Sequence, residues 1–461
     1  MTIDLSTITF TNQADVVPVS GQDDIVNTGI ANTLAGNDTI TGSGVYDSYN
    51  YGSVYGIFNT GTLNTAEGND IITGTGDNAG IFNTGTLNTA EDNDIITASA
   101  GSWGIGIYNT GTLNTADGNE IITATAGFSG TGIYNTGTLN TAEGNDIISA
   151  SGGSGGIYNS GTFNTADGND VITGSTPKSN GIFIAKDSTL DTGNGNDRIS
   201  GDSNTRAGIY NASFTFNTGD GNDTIAGDGD LDGIYNTGLI NTGNGKDTII
   251  ADAATYGRGL SNFSTLDTGD GEDIITARAG IYNYGTIDTG DSDDIITGSG
   301  GFSDNGDYIS GFSNGGTIDT GNGNDSIIAD GLIIGTAGTI NTGDGMDLIT
   351  SSKSIENHGT INTGNGVDFI IAKGGFSGMG SVFLGNGKDY LNSFGTGKFN
   401  GGNNQDTLEL TSGTYTVGIS GTTVSFTNSG VIMETSEFEK LIAGSTTYNF
   451  TSLTQGQIIV A

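Results

Sequence analysis

The sequence predicts an all-β protein, a single-stranded parallel β-helix (β-solenoid) with about 24 residues and three short strands in each coil. A short turn followed by an acidic residue recurs sixteen times, and 24 residues separate Asp70 from Asp94. Ile or Leu always stands two positions after the acid, whereas the position between them varies, which is the period of two of a strand. The 83 glycines, with abundant Thr, Ile and Asn, favour strands and turns over helices.

A two-sided β-roll is the alternative architecture. Its coil has roughly 18 residues, as two nonapeptides, and only the last interval, 17 residues from Asp389 to Asp406, fits that length. The longer intervals favour the three-sided β-helix.

The repeat divides the chain into three predicted parts: an N-terminal cap at 1–30, a β-solenoid of about 16 coils at 31–410, and a C-terminal β cap at 411–461. The segment Gly21–Ile25 resembles a degenerate first turn. The copies are most regular in 31–174, and later coils carry predicted loops around Pro177, 254–262 and 301–316. Such insertions usually leave a solenoid on one face.

Composition restricts the partners of the chain. The formal net charge is −40, which argues against nucleic acid. Cysteine is absent, so the fold uses no disulfides and no thiol ligands. The first residues lack the basic and apolar regions of a cleaved signal peptide, and no apolar run is long enough to insert into a membrane.

The strand before each turn places three residue types on repeating rows. In GIYN, Ile157 and Asn159 share one side of the strand and Tyr158 takes the other. The inward asparagines predict an internal amide ladder: Asn59, Asn83, Asn109, Asn135, Asn159, Asn211, Asn236 and Asn283. The outward rings predict an aromatic ladder or a glycan platform: Phe58, Phe82, Tyr108, Tyr134, Tyr158, Phe183, Tyr210, Tyr235 and Tyr282.

A second outward row in the early coils is apolar. It consists of Ile71, Ile95, Ile121, Ile147 and Val171, the residue after each acid. If it is exposed, a β-branched row of this length predicts an association surface.

The turn TGNGNDRI at 192–199, with copies such as TGDGNDTI at 218–225, resembles the nonapeptide of RTX (haemolysin-type) proteins exported by type I secretion. The family repeat binds Ca²⁺, and the resemblance implies that turn carbonyls and the acidic residue together supply hard oxygen ligands. The implied metal ligands are Asp38, Asp70, Asp94, Asp146, Asp170, Asp197, Asp223, Asp247, Asp273, Asp294, Asp325, Asp347, Asp368, Asp389 and Asp406, with Glu120 at the equivalent position of one coil.

The turns depart from the family pattern. The first Gly is Thr in nearly every coil, the second is Ala in early turns such as TAEGNDII at 65–72, and the fourth-position Gly is replaced by Asp92, Ser292 and Asn404. The early turns are therefore expected to bind metal less well. A metal-free alternative is a tight corner whose Asp accepts hydrogen bonds from local backbone amides. The net charge favours the ion.

Catalysis has little support in the sequence. Parallel β-helices include polysaccharide lyases and epimerases, which need a base and cationic groups, but His358 is the only histidine and the basic residues are scattered. We therefore expect that the chain is not an enzyme.

The predicted function is an extracellular, calcium-stabilised structural or adhesive rod that self-associates or binds surface polymers. The alternative is a module that presents aromatic or Thr rows to a glycan or to ice; ice requires a flat, loop-free Thr face, and a glycan requires accessible rings. EFEKL at 437–441 and the apolar terminus QIIVA resemble the C-terminal signal of RTX proteins, which implies the type I secretion machinery as a partner during export. The alternative is that they only cap the last coil.

Overall fold

A computed structural model describes residues 2–18, 24–44, 54–254, 257–302 and 308–461. Within these ranges the chain forms short β-strands and two 3₁₀ turns, Leu5–Thr7 and Phe450–Ser452, and it contains no α-helix. Consecutive coils pair in parallel, so the predicted parallel β-helix is confirmed. Residues 21–23 of the proposed first turn, 255–256 of one predicted loop and 303–307 of another lie outside the described residues.

The chain divides into two compact units. Unit 1 contains Met1–Gly243 and Ile250–Asp252, and unit 2 contains Asn244–Ile249 and Ala253–Ala461. In both units each coil passes through three parallel sheets in the same order. We call them the aromatic sheet (strands such as Gly155–Asn159), the threonine sheet (Thr162–Asn164) and the isoleucine sheet (Val171–Thr176).

The described part of unit 1 contains nine or ten strands of each sheet. The aromatic sheet contains Thr2–Asp4, Asp24–Asn27, Tyr55–Asn59, Ala79–Asn83, Ile105–Asn109, Thr131–Asn135, Gly155–Asn159, Ile182–Ile184, Ala207–Asn211 and Asp232–Asn236. The threonine sheet contains Ile30–Asn32, Thr62–Asn64, Thr86–Asn88, Thr112–Asn114, Thr138–Asn140, Thr162–Asn164, Thr189–Asp191, Thr215–Asn217 and Leu239–Asn241. The isoleucine sheet contains Val16–Val17, Thr39–Ser43, Ile71–Gly76, Ile95–Ala100, Ile121–Ala126, Ile147–Ser151, Val171–Thr176, Arg198–Ser203 and Thr224–Gly229.

Unit 2 repeats the arrangement in shorter coils. Its aromatic sheet contains Arg258–Asn262, Ile281–Asn283, Phe312–Asn314, Leu332–Ile334, Ile355–Asn357 and Phe376–Ser377. Its threonine sheet contains Thr265–Asp267, Thr286–Asp288, Thr317–Asp319, Thr339–Asn341, Thr360–Asn362, Ser381–Phe383 and Gly397–Asn400. Its isoleucine sheet contains Ile274–Arg278, Ile295–Ser299, Ser326–Ala329, Leu348–Ser351, Phe369–Ala372, Tyr390–Asn392 and Thr407–Leu410. The strand Thr248–Ala253 contains residues of both units.

Two further groups of strands lie in unit 2. Gly301–Phe302 and Tyr308–Ile309 pair in antiparallel fashion. In the last coils the turns themselves become extended and pair as a fourth parallel sheet of Asp344–Gly345, Asn365–Gly366, Asn386–Gly387 and Asn403–Asn404. The turn backbone therefore takes part in inter-coil hydrogen bonding.

The core follows the predicted alternation. Ile107, Leu113 and Ile122 of one coil come from the three sheets, and each has no exposed surface. Equivalent residues stack on one another, since Leu113 is the register partner of Leu139 and Ile122 of Ile148. Burial of a Leu or Ile side chain stabilises by about 1.5 to 3 kcal/mol, but a single coil has no partner to bury it against, so stability depends on stacking.

Both termini close the sheets with additional strands. Thr2–Asp4 pairs with Asp24–Val26, and Leu5 is fully buried beside it. At the other end Thr414–Ser420, Thr423–Asn428 and Val431–Ser436 form an antiparallel sheet. Lys440–Ala443 extends the isoleucine sheet and is followed by Thr446–Asn449 and Ile458–Val460. These are the N-terminal cap and the β-rich C-terminal cap of the predicted fold. None of the described elements is a helix capable of crossing a membrane.

Candidate metal turns and binding faces

The sixteen acidic residues of the turns occupy one buried row in each unit, and none is more than 2% exposed. Their carboxylates form a ladder: one oxygen accepts a hydrogen bond from the backbone N–H of the equivalent residue in the preceding coil. In unit 1, Asp70 N–H donates to Oδ1 of Asp94 at 2.8 Å. In unit 2, Asp273 N–H donates to Oδ1 of Asp294 at 2.8 Å. The backbone hydrogen bonds of the metal-free alternative are thus present, but they run between coils.

The second carboxylate oxygen has one of two environments. In at least four of the described turns the hydroxyl of the Thr five residues earlier donates to Oδ2. The pairs are Thr141 with Asp146, Thr192 with Asp197 at 2.5 Å, Thr320 with Asp325 at 2.6 Å, and Thr342 with Asp347 at 2.7 Å. In other turns Oδ2 is buried without a hydrogen-bond partner: Asp38, Asp70, Asp94, Asp170, Asp273, Asp294, Asp368, Asp389 and Asp406.

The side chains alone do not fit a divalent cation. Ca²⁺ takes six to eight oxygen ligands, and the described residues contain no group of three or more Asp, Glu, His or Cys side chains arranged to hold a metal ion. Some turn carbonyl oxygens already accept backbone hydrogen bonds: Gly343 O accepts from Asn365 N–H at 3.1 Å, and Gly345 O accepts from Val367 N–H at 3.2 Å. The partnerless Oδ2 atoms are the feature that a cation would satisfy. Calcium binding at these turns stays a prediction.

Burial raises the pKa of most of the ladder carboxyl groups, and neighbouring carboxylates raise it further; at Asp197 and Asp347 the Thr hydroxyl and a backbone N–H lower it in part. The pKa of Asp70 rises to about 6 and that of Asp197 to about 7 in unit 1. In unit 2 the pKa of Asp294 rises to about 8 and that of Asp347 to about 7. The row therefore holds protons at a pH where exposed carboxyl groups are ionised.

Glu120 is the exception in the row. Its longer side chain is 1% exposed, and neither of its carboxylate oxygens has a hydrogen-bond partner. Burial and the adjacent Asp146 raise the pKa of this carboxyl group. The coil keeps the backbone part of the ladder, since Glu120 N–H donates to Oδ1 of Asp146 at 2.9 Å.

Turn conformation explains the departures from the family pattern. The glycine at the fourth turn position has positive φ in most of the described turns, and its three replacements adopt positive φ as well: Asp92 at 98°, Ser292 at 114° and Asn404 at 92°. At the second position Ala142 and Ala166 adopt φ of 59° and 58°, a strained conformation for Ala. The turns of Ala142 and Ala166 therefore keep the conformation of the later turns, whereas Ala66, Ala90 and Ala116 lack positive φ and their turns differ from the later ones at this position.

The outer surface of the turns carries a second amide ladder that the sequence interpretation missed. The side-chain oxygen of Asn119 accepts from both the backbone N–H and the side-chain amide of Asn145, at 2.9 and 3.1 Å. Asn169 bonds Asn145 in the same way, and Asn196 bonds Asn169. The regular Asn before each acid was the available signal.

The threonine sheet presents two parallel ranks of polar side chains to solvent. In Thr112–Asn114, Thr112 and Asn114 point outward and Leu113 is buried, and the adjacent strands repeat the pattern in register. In unit 1 the ranks are Thr62, Thr86, Thr112, Thr138 and Thr162, with Asn64, Asn88, Asn114, Asn140 and Asn164. A third exposed rank on the adjoining corner contains Thr60, Thr84, Thr110 and Thr136.

Hydrogen bonds between the side-chain amides of successive coils hold the asparagine rank in place. Asn64 donates to Asn32 at 2.7 Å, Asn88 to Asn64 at 2.9 Å and Asn140 to Asn114 at 2.7 Å. Threonine is β-branched and stiff at χ1. Both ranks are therefore ordered before any ligand binds.

Both edges of this sheet keep the same length over the five coils from Thr62–Asn64 to Thr162–Asn164, whereas the first corner lengthens in the next two coils, between Ile184 and Thr189 and between Asn211 and Thr215. At the edge shared with the aromatic sheet, a Cβ on Gly111 would lie 2.1 Å from Gly85 O, so only glycine allows the close stacking. The loops of variable length, around Trp103, Phe128 and Pro177, lie between the isoleucine and aromatic sheets. Over these five coils the described residues at the edges of the threonine sheet therefore include no inserted loop.

The predicted internal asparagine ladder is confirmed within each unit. Asn109 accepts from Asn83 at 2.8 Å and donates to Asn135 at 2.8 Å and to Thr138 O at 2.7 Å. Asn211 donates to Asn236 in unit 1, and Asn283 to Asn314 in unit 2. The amides link the aromatic and threonine sheets as well as successive coils.

The aromatic row of unit 1 is a continuous stack. Ring centroids of Phe82 and Tyr108 lie 4.9 Å apart at an interplanar angle of 2°, and those of Tyr134 and Tyr158 lie 4.6 Å apart at 4°. The ring faces are therefore covered by other rings, whereas sugar stacking requires free faces. This geometry favours the ladder interpretation over the glycan platform.

The apolar row of the isoleucine sheet is exposed in unit 1. Ile71, Ile95, Ile121 and Ile147 are 40%, 36%, 38% and 43% exposed, and they are partners in register. Val171 of the same row is half-buried, and among the described residues no loop covers the four exposed Ile side chains.

His358 lies on the surface of unit 2, where its Nε2 is 3.0 Å from Oε1 of Glu356. The pair belongs to an exposed strand end and is not part of the buried carboxylate row. The expectation that the chain is not an enzyme stays a prediction.

No protein-family model matches the chain, and no curated protein matches it. Among solved structures it is similar to a hyperactive, Ca²⁺-dependent, β-helical antifreeze protein from an Antarctic bacterium. The identity is 17%, the match covers 83% of this chain and 84% of that one, and the TM-score is 0.21. A likeness at this level does not bear on function.

Proposed function

We propose that the threonine sheet of unit 1 is an ice-binding face and that the β-solenoid is the rigid support for it. The observation that carries the proposal is the pair of uncharged ranks, Thr62 to Thr162 and Asn64 to Asn164, which stay in register over five coils. Ice binding requires a Thr face without loops, and over these five coils the described residues of the threonine sheet provide one.

The spacing of the ranks is fixed by backbone geometry. Equivalent side chains in adjacent coils lie about 4.8 Å apart, and Thr112 and Asn114, two residues apart in one strand, about 6.6 Å apart. The result is a two-dimensional grid. A crystalline ligand can match such a grid over its whole area, whereas a single soluble molecule uses only a few points of it.

The chemistry of the face suits ordered water. Each threonine of the grid offers a hydroxyl group and a methyl group, and each asparagine offers an amide donor and an amide acceptor. The Asn amides are already bonded to one another, as Asn140 is to Asn114 at 2.7 Å. Little side-chain entropy is therefore lost when water molecules are held on the surface.

Partition into a slowly growing ice front, together with thermal hysteresis, tests the proposal. We expect the wild type to enter the ice and the double variant Thr112→Tyr, Thr138→Tyr to be largely excluded, because two rings raise bulky groups above the plane at its centre. The matched control is Ser102→Tyr, on an exposed loop between the other two sheets. Exclusion of the wild type from ice, or equal losses in the control, would contradict the proposal.

The exposed isoleucine row supports a second candidate, the structural or adhesive rod, which associates laterally through this row. Four consecutive exposed Ile residues form an apolar stripe. We expect wild-type protein to associate in light scattering, and Ile95→Lys with Ile121→Lys and Ile147→Lys to be monomeric. Lysines at Thr84, Thr110 and Thr136 add the same charge elsewhere and should leave association intact. A monomeric wild type would rule out this candidate.

We also propose that the chain acts outside the cell, as a member of the RTX group exported by type I secretion. The turn motif, the net charge of −40 and the segment Glu437–Leu441 support this proposal. Calcium remains part of it, supported by the partnerless Oδ2 atoms in turns such as those of Asp389 and Asp406.

A further inference from the structure

We propose that in turns whose buried Thr and Asp are hydrogen-bonded, the Thr hydroxyl holds the carboxyl group in place of a metal ion. The turns concerned are those of Thr141, Thr192, Thr320 and Thr342. These turns therefore form and persist without calcium.

The first step is the position of the hydroxyl. Thr320 is 1% and Thr342 0% exposed, and each is the first residue of its turn, five positions before its Asp. The following Gly321 and Gly343 have φ of 70° and 78°, which reverses the chain and brings the two side chains together inside the coil.

The second step is the hydrogen-bond account of the carboxyl group. Oδ1 of Asp347 accepts from the backbone N–H of Asp325 at 2.9 Å, and Oδ2 accepts from Thr342 Oγ1 at 2.7 Å. Both oxygens of the buried group are then satisfied. A cation would have to displace the hydroxyl and also recruit at least four further oxygens.

The third step is a contrast within the chain. The family pattern has glycine at the first position, which offers no hydroxyl. The last two turns of this chain start with Leu384 and Gly401, and Oδ2 of Asp389 and of Asp406 is buried without a partner. Thr at the first position does not by itself satisfy the carboxyl group, because Oδ2 of Asp70, Asp94 and Asp170 is buried without a partner in turns that also start with Thr. The turns named above differ in that the hydroxyl lies within hydrogen-bond distance of Oδ2.

The test uses the full chain and measures the unfolding midpoint by circular dichroism, with EGTA and with millimolar Ca²⁺. We expect the β signal of the wild type to persist in EGTA. Thr320→Val and Thr342→Val, which keep the shape and lose the hydroxyl, should each lower the midpoint in EGTA by about 4 °C. The matched controls are Thr317→Val and Thr339→Val, outward residues of the same coils, and they should shift it by less than about 1 °C.

Serine variants separate the hydroxyl from the methyl group and decide the matter if a valine variant does not fold. Thr342→Ser should keep most of the wild-type midpoint. Three results would overturn the inference: loss of the wild-type β signal in EGTA, valine variants no weaker than their controls, or serine variants as weak as the valine ones.

Discussion

The backbone N–H of Asp325 donates a 2.9 Å hydrogen bond to Oδ1 of Asp347 in the following coil. The same link recurs along the row except at the Glu120 carboxylate, so a buried carboxyl group such as that of Asp347 both joins two coils and titrates. Burial and neighbouring carboxylates raise the pKa of Asp294 to about 8 and that of Asp325 to about 7, against about 3.9 in an unfolded chain.

The first prediction is that acidification stabilises unit 2 in the absence of metal. A carboxyl group with a raised pKa in the folded state binds its proton more tightly there than in the unfolded chain, and this stabilises the folded state. The stabilisation is complete below the unfolded pKa and is lost as the pH rises through the folded pKa. In EGTA the unfolding midpoint should therefore rise as the pH falls from 8 to 5. Asp294→Asn removes one titrating group and should flatten the profile; an unchanged or reversed slope would contradict the prediction.

The second prediction concerns the internal asparagine ladder. Asn109→Ala removes the side-chain amide that donates to Asn135 and to Thr138 O. It also leaves the side-chain N–H of Asn83 without its acceptor, the Oδ1 of Asn109. We expect a loss of about 2 to 3 kcal/mol in unfolding free energy, measured with urea. The control is Asn119→Ala on the solvent side of the turn, which should lose less than about 1 kcal/mol. Equal losses would show that burial does not matter here.

The third prediction tests the close corners. In Gly111→Ala the new Cβ would lie 2.1 Å from Gly85 O, so adjacent coils must separate and the midpoint should fall. Gly155→Ala is the control because its nearest neighbour, a methyl carbon of Thr131, is 3.4 Å away. Thermal unfolding of the two variants should differ by several degrees. A stable Gly111→Ala protein would show that the corners can relax.

The fourth prediction concerns export. Deleting 436–461 in the native host should keep the protein out of the medium, but the deletion also removes the strand Lys440–Ala443 and the buried Leu441. Val417→Ala is therefore the control, because it weakens the antiparallel cap and keeps the proposed signal. Export of folded, truncated protein would leave these residues with a capping role alone.

Strand alternation could be predicted because the period of two assigns every residue of a strand to a side. It correctly placed Ile107 and Asn109 inside and Tyr108 outside. The same reasoning stops at the turns, where backbone reversal at residues such as Gly343 breaks the alternation. For that reason the contact of Thr342 with Asp347 was not predicted, although a Thr stands at the first position of most turns.

The faces were only partly predictable. The sequence showed the outward aromatic row but could not show that ring faces cover one another, as those of Tyr134 and Tyr158 do. The repeated TLN shows where the Thr and Asn residues stand, whereas the hydrogen bond from the Asn140 amide to Asn114 depends on the register between coils. Register is a property of the stack, and no single repeat contains it.

Because Gly85 and Gly111 nearly touch across the coil boundary, neither can accept a larger residue without a shift of the backbone. Longer corners occur in coils that lack this glycine, between Ile184 and Thr189 and between Asn211 and Thr215. A whole coil, however, can be added or removed without altering any neighbour's surroundings, since Thr86, Thr112 and Thr138 occupy the same place in successive coils. The length of this protein can thus vary in steps of one repeat, and the extent of its threonine sheet varies in the same steps.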